Sequence, residues 1–172
     1  MQLRELMKNI QFTGTPDNRE ISAITYDSRK VNPGTLFVAI SGMLTDGYKY
    51  IPHAIKNGAV AILYNGRKPN TQTIPLLQVK NPRSAMSQIA ANFYGNPSRN
   101  MHVIGVTGTN GKTSITHILH HILHESDISC GTLGTLGFRT PSGMMSTGFT
   151  TPESVEIQQM LQMLKMADID NI

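Results

Sequence analysis

The sequence predicts an α/β fold in two parts: a small N-terminal α/β domain over residues 1–96, then the beginning of a parallel, phosphate-loop-type α/β domain over residues 97–172. Three observations predict it. Short apolar or β-branched runs alternate with segments of helical spacing up to residue 93, the order that builds parallel sheets. The stretch Gly95-Asn96-Pro97-Ser98-Arg99-Asn100 has no apolar residue and two breakers, which marks a boundary. Beyond it, Val103-Ile104-Gly105-Val106 runs through a glycine-containing loop into Lys112-Thr113 and a helical pattern.

Taken in order, residues 21–25 and 36–40 read as short strands separated by an Asn32-Pro33-Gly34 turn. Tyr50, Ile51, Ala54 and Ile55 form a helical face that Asn57-Gly58 ends, glycine being suited to the position just past a helix. Residues 59–64 predict a buried strand and 76–79 another. Asn81-Pro82 opens a helix carrying Met86, Ile89, Ala90 and Phe93, because Asn can cap and Pro fits the first turn. In the second part, residues 103–106 and 128–133 predict strands and 153–166 a helix with Val155, Ile157, Met160, Leu161 and Leu164 on its buried side. Sheets of this kind normally carry four or more strands covered on both faces, and the residues after the boundary supply two or three. The expectation is therefore a piece of a longer protein.

The loop carries the chemistry. Gly108-Thr109-Asn110-Gly111-Lys112-Thr113-Ser114 joins a predicted strand to a helix whose apolar side is Ile115, Ile118, Leu119, Ile122 and Leu123. Glycines let backbone N–H groups approach phosphate oxygens, and the helix start offers unpaired N–H groups and a positive dipole end. Lys112 would neutralise β/γ-phosphate charge and the Thr113 hydroxyl would bind Mg²⁺, so the chain is expected to handle ATP or GTP. The general phosphate-loop pattern asks for glycine at the position of Val106, so the spacing here is shorter.

The composition is globular, with 39% hydrophobic and 15% charged residues. A formal charge of +4 favours anionic ligands, but the basic residues are not clustered and aromatics make up 6%, which speaks against nucleic acid. No apolar run approaches the roughly 20 residues of a membrane span, and no signal peptide is evident, so a cytoplasmic protein without membrane binding is expected. The single cysteine, Cys130, excludes an intrachain disulfide and reads as a small core residue. His117, His120, His121 and His124 recur at helical spacing, and the expectation for them is a solvated helix face in preference to a metal site.

Several segments in order resemble the Mur ligase family: Asp27-Ser28-Arg29 with Pro33-Gly34-Thr35-Leu36-Phe37-Val38-Ala39, Gly42 with Asp46-Gly47 and Tyr50-Ile51, Tyr94-Gly95-Asn96-Pro97-Ser98, the loop from Gly105 to Ser114, Gly131-Thr132-Leu133-Gly134-Thr135, and Thr150-Thr151-Pro152-Glu153. The likeness is to the N-terminal part of the family, most of all to its branch that makes the UDP-N-acetylmuramoyl tripeptide. The shorter glycine spacing belongs to that family's loop. Tyr48, where the family usually has histidine, and Phe149, where a polar residue is common, depart from its pattern.

The resemblance implies a UDP-precursor-binding first domain and a central ATP-binding domain present only in its first part. It implies a ligase that uses ATP and Mg²⁺ to add L-lysine or meso-diaminopimelate to UDP-MurNAc-L-Ala-D-Glu through an acyl phosphate in peptidoglycan synthesis. Lys112 would be catalytic. Gly108, Thr109, Asn110, Gly111, Lys112, Thr113 and Ser114 would hold ATP and Thr113 the metal; Ser28, Thr150 and Thr151 would contact the UDP-N-acetylmuramoyl-dipeptide. Little or no turnover is expected of this chain alone. The competing readings are a non-catalytic UDP-sugar or nucleotide-binding module and a relative of folylpolyglutamate synthase.

Overall fold

The computed structural model describes residues 1–42, 46–71, 73–140, 143–145 and 152–172. They form two compact units, Met1–Phe93 and Tyr94–Ile172.

The first unit contains α1 (Leu3–Leu6), β1 (Ala23–Thr25), β2 (Thr35–Val38), α2 (Ile51–Lys56), β3 (Ala59–Tyr64), β4 (Leu76–Gln78) and α3 (Pro82–Phe93). The four strands make one parallel sheet in the order β1-β2-β3-β4, with Ile24 opposite Leu36, Phe37 opposite Ile62 and Leu63 opposite Leu77. A sheet covered on both faces needs apolar residues at successive positions, and β2 is buried at all four. Phe37, Ile62 and Tyr64 pack with Ile51 and Ala54 of α2. Leu36, Ala61 and Leu63, which alternate with them and so point to the opposite face, are fully buried too. Helix α3 meets α1 and β2, and buries Met86, Ile89 and Ala90.

Local chemistry sets the ends of these elements. The Asn81 side-chain oxygen accepts the Ser84 N–H at 3.1 Å, capping α3 as its sequence predicts. Helix α2 stops at Asn57, and Gly58 follows at φ +101°, a backbone geometry that costs a glycine little.

The second unit contains α4 (Lys112–Glu125), an antiparallel sheet of β5 (Thr132–Gly134), β6 (Gly137–Thr140) and β7 (Gly143–Met145), and α5 (Ser154–Met166). Its core is Phe138, Leu164 and Ile169, flanked by Met101, Leu133, Met160 and Ile172. Two expectations are corrected. Residues 103–106 and 128–133 do not form two full strands: His102 and Ile104 bond with residues 170–172 and Cys130 and Gly131 with Asn171, while Thr132 and Leu133 belong to β5 and pair with β6. His102 N–H donates to Asp170 O at 2.7 Å, Ile172 N–H to His102 O at 3.0 Å and Ile104 N–H to Ile172 O at 2.8 Å, while Gly131 N–H donates to Asn171 O at 2.9 Å. Asn171 thus bridges in parallel to both His102 and Cys130. Residues 170–172, to which no element was assigned from sequence, are the middle element of this short parallel array.

The second correction concerns α4, which buries none of its residues. Ile115, Ile118 and Ile122, expected on the core side, are 52%, 60% and 55% exposed. Leu119, Leu123 and Thr116 face the short array and help line an apolar cavity of about 220 Å³ with Ile104, Gly131 and Leu161. The helix's apolar stripe is wider than the surface that three short segments present to it.

Candidate functional site

The loop leaves the parallel array after Ile104 and turns with Gly108 at φ +154° and Gly111 at φ +79°. Gly111 occupies the capping position of α4 and supplies no side-chain cap, so the first-turn N–H groups have neither an intrahelical nor a capping partner. That leaves an electropositive cradle of backbone donors at the head of a helix of 14 residues. Gly108, Thr109, Asn110, Gly111, Lys112, Thr113 and Ser114 are all exposed. The Lys112 ammonium folds back over the loop, donating to the carbonyls of Gly108 and Thr109, the latter at 3.2 Å. It therefore holds a positive charge against the loop that opens the helix.

Thr113 Oγ1 lies 3.2 Å from Thr135 Oγ1, a residue of the β5–β6 turn. Two hydroxyl oxygens beside Lys112 are hard donors, the kind Mg²⁺ takes, so the residues present fit that ion. Below them a cavity of about 230 Å³ is lined by Lys112, Thr113, Thr132, Gly134 and Thr135, among others. Sequence reading quoted Thr135 within a motif and gave it no role; its closeness to Thr113 comes only from the hairpin fold.

Ser28 lies just past the carboxyl end of β1, where parallel sheets commonly receive ligands. It is buried, and its carbonyl accepts the Asn57 amide at 3.0 Å. The preceding Asp27 accepts the Arg29 N–H at 3.0 Å and grips the Arg29 guanidinium through Nε at 2.9 Å and Nη2 at 2.8 Å. Those hydrogen bonds from Arg29 hold the Asp27 carboxyl below its ordinary value of 3.8 against the opposing effect of burial. Later in the first unit, Asp46 plays a similar local part, accepting from Ser41 Oγ and from Tyr48 N–H, each at 3.1 Å. The turn around Ser28 is thus fixed by ionic and amide contacts, and Asn57, read from sequence as part of a helix stop, also holds the Ser28 carbonyl. Thr150 and Thr151 lie outside the described residues.

The geometry has counterparts in known proteins. A family model described as the Mur ligase middle domain matches residues 106–172, and one described as the Mur ligase family catalytic domain matches residues 20–94. A UDP-N-acetylmuramoyl-L-alanyl-D-glutamate–2,6-diaminopimelate ligase of Syntrophomonas wolfei is 41% identical over 174 residues, covering 100% of this chain and 36% of that protein. A UDP-N-acetylmuramyl-tripeptide synthetase of Roseiflexus is 40% identical over 171 residues, covering 94% and 33%. The chain spans about a third of the length of the curated relatives it matches.

Among solved structures, a UDP-N-acetylmuramoyl-L-alanyl-D-glutamate–2,6-diaminopimelate ligase superposes with a TM-score of 0.76 at 20% identity, covering 99% of this chain and 34% of the other. A MurF ligase of Thermotoga maritima in complex with ADP gives 0.55 at 26% identity, covering 83% and 29%.

Proposed function

Because the chain belongs to the Mur ligase family, we propose that it is the N-terminal portion of an ATP-dependent ligase that extends UDP-MurNAc-L-Ala-D-Glu by its third amino acid in peptidoglycan synthesis. Residues 1–96 hold the UDP end of the precursor and residues 97–172 begin the ATP-binding domain. The names of the matched relatives support diaminopimelate as the residue added by the whole protein. The observation that carries the reading is the uncapped, glycine-opened start of α4 with Lys112 folded over it, in a chain whose two halves match two Mur ligase models.

The chemistry follows from what a carboxylate lacks. It is a poor electrophile until one oxygen becomes a good leaving group, so the γ-phosphoryl group of ATP passes first to the D-glutamate side-chain carboxylate, releasing ADP. The amine of the incoming amino acid then attacks the acyl carbon, phosphate leaves and the amide forms. The chain's part is to position and to balance charge. Backbone amides of Gly108 to Ser114 cradle the phosphates, Lys112 neutralises their charge, and Thr113 supplies an oxygen to Mg²⁺, which screens the triphosphate when bound. Ser28, presented by its buried turn, contacts the nucleotide end of the precursor, and Thr150 and Thr151 contact its sugar-peptide portion. ATP and the nucleotide-linked precursor place this reaction in the cytoplasm. Among the described residues no helix is long and apolar enough to cross a membrane.

The test is a calorimetric titration of the chain with UDP-MurNAc-L-Ala-D-Glu, repeated with a folylglutamate as competitor. Binding that UDP displaces and the folate does not supports the reading; binding of the folate in its place refutes it. Tripeptide formation by this chain alone with ATP and diaminopimelate would contradict the assignment of the complete reaction to a longer protein.

A further inference from the structure

Thr113 and Thr116 both lie near the start of α4, yet their hydroxyls take different partners. Thr116 Oγ1 donates to the Lys112 carbonyl four residues back at 2.8 Å, the bond that a helical threonine ordinarily makes to its own backbone. Thr113 Oγ1 instead stands 3.2 Å from Thr135 Oγ1, across 22 residues of chain. A threonine in a helix divides between two rotamers, so an outside partner of this kind decides between them.

The backbone sets Thr135 in place. Gly134 pairs with Gly137 in the hairpin, so Thr135 opens the turn between β5 and β6. Gly137 leaves that turn at φ +117°, a conformation that costs a glycine little. Strand β5, which leads into the turn, packs against α4. Thr113 and Thr135 therefore line one cavity with Lys112.

A hydroxyl carries one proton and two acceptor lone pairs. When its oxygen gives a lone pair to a divalent cation, the proton becomes more acidic and needs an acceptor. Lys112 cannot serve, because an ammonium only donates, and it donates here to the carbonyls of Gly108 and Thr109. Thr135 Oγ1 can serve. We propose that Thr135 is a positioning residue for the cation-binding hydroxyl: it accepts the Thr113 proton, fixes the Thr113 rotamer and leaves the Thr113 lone pairs for Mg²⁺. Outer partners of this kind set the orientation and basicity of a ligand. Thr135 acts only through Thr113, and its role rests on the nucleotide-binding reading of the loop.

The experiment is a calorimetric titration of the whole chain with ATP in excess MgCl₂ and again in EDTA, the ratio of the two affinities giving the metal's contribution. Thr135→Val keeps the side chain's shape and removes its hydroxyl; it should lower that ratio about tenfold and leave the affinity in EDTA unchanged. Thr135→Ser should restore the ratio. In a Thr113→Val background Thr135→Val should have no further effect, since the group it acts on is gone. Thr113 and Thr135 are exposed, so every variant should keep the parent's circular dichroism and melting temperature. An unchanged ratio in Thr135→Val, no restoration by Thr135→Ser, or an undiminished effect in the Thr113→Val background overturns the proposal and leaves the nucleotide reading standing. Absence of MgATP binding by the folded parent overturns both.

Discussion

Gly131 and Leu164 are pressed together so closely that their substitutions should compensate. Leu164 is fully buried at the centre of the second unit's core with Phe138 and Ile169. A Cβ on Gly131 would lie 2.6 Å and 2.8 Å from the two Leu164 methyls and 3.3 Å from the Arg139 carbonyl. Gly131 is not among the residues of positive φ, so its backbone accepts alanine and the cost of Gly131→Ala is one of space. That cost should be about 1–3 kcal/mol, the usual range for overpacking. Leu164→Ala should cost about 2–5 kcal/mol through lost burial and the cavity left behind. In the double variant the new methyl enters the vacated space and its two shortest contacts vanish. The two effects should therefore fall short of their sum by about 1–3 kcal/mol, within the range known for residues in contact. Urea unfolding followed by circular dichroism measures the cycle, and hydrogen exchange shows that the loss is in residues 94–172. Additivity within about 0.5 kcal/mol would refute the packing argument.

Two further outcomes follow from named contacts. The Asp27 carboxyl, held below 3.8 chiefly by hydrogen bonds from Arg29, should titrate closer to 3.8 in Arg29→Ala when followed by carboxyl-carbon NMR. The sign for stability is that of a depressed acid: the fork's contribution is present above pH 3.8 and is lost as pH falls through the lower, native value, so the parent and Arg29→Ala should converge in acid. Helix α4, which buries no residue, should exchange its amides faster than α3, which buries Pro82, Met86, Ile89 and Ala90; equal protection would contradict the exposure of its isoleucines.

How far the sequence foretold these features depends on how local each one is. Residues 59–64 read as a buried strand and are β3 with those bounds, because a run of apolar residues covered on both faces carries its own signal. The Asn81 cap was legible for the same reason, its partner being three residues away. Failures came where the deciding partner was remote. Residues 170–172 carry no strand pattern of their own and acquire strand-like pairing from His102 and Cys130. Periodicity showed correctly which face of α4 is apolar, yet whether anything covers Ile115, Ile118 and Ile122 is a question that pattern does not address. The glycine-opened turn from Gly108 into α4 was readable from residue types alone. Thr135 beside Thr113 and Asn57 behind Ser28 were not, since each reaches its partner across more than twenty residues of chain.

The central claim is that the loop and Lys112 grip a nucleoside triphosphate. Calorimetric titration with MgATP of the parent chain and of Lys112→Ala tests it most directly. Lys112 is exposed and, among the described residues, its bonds go to loop carbonyls, so the variant should keep the parent's melting temperature. A lost hydrogen bond to a charged group is worth about 1.5–3 kcal/mol, so binding should weaken about tenfold or more. Equal affinity of the two chains for MgATP, or no binding by the folded parent, would contradict the account.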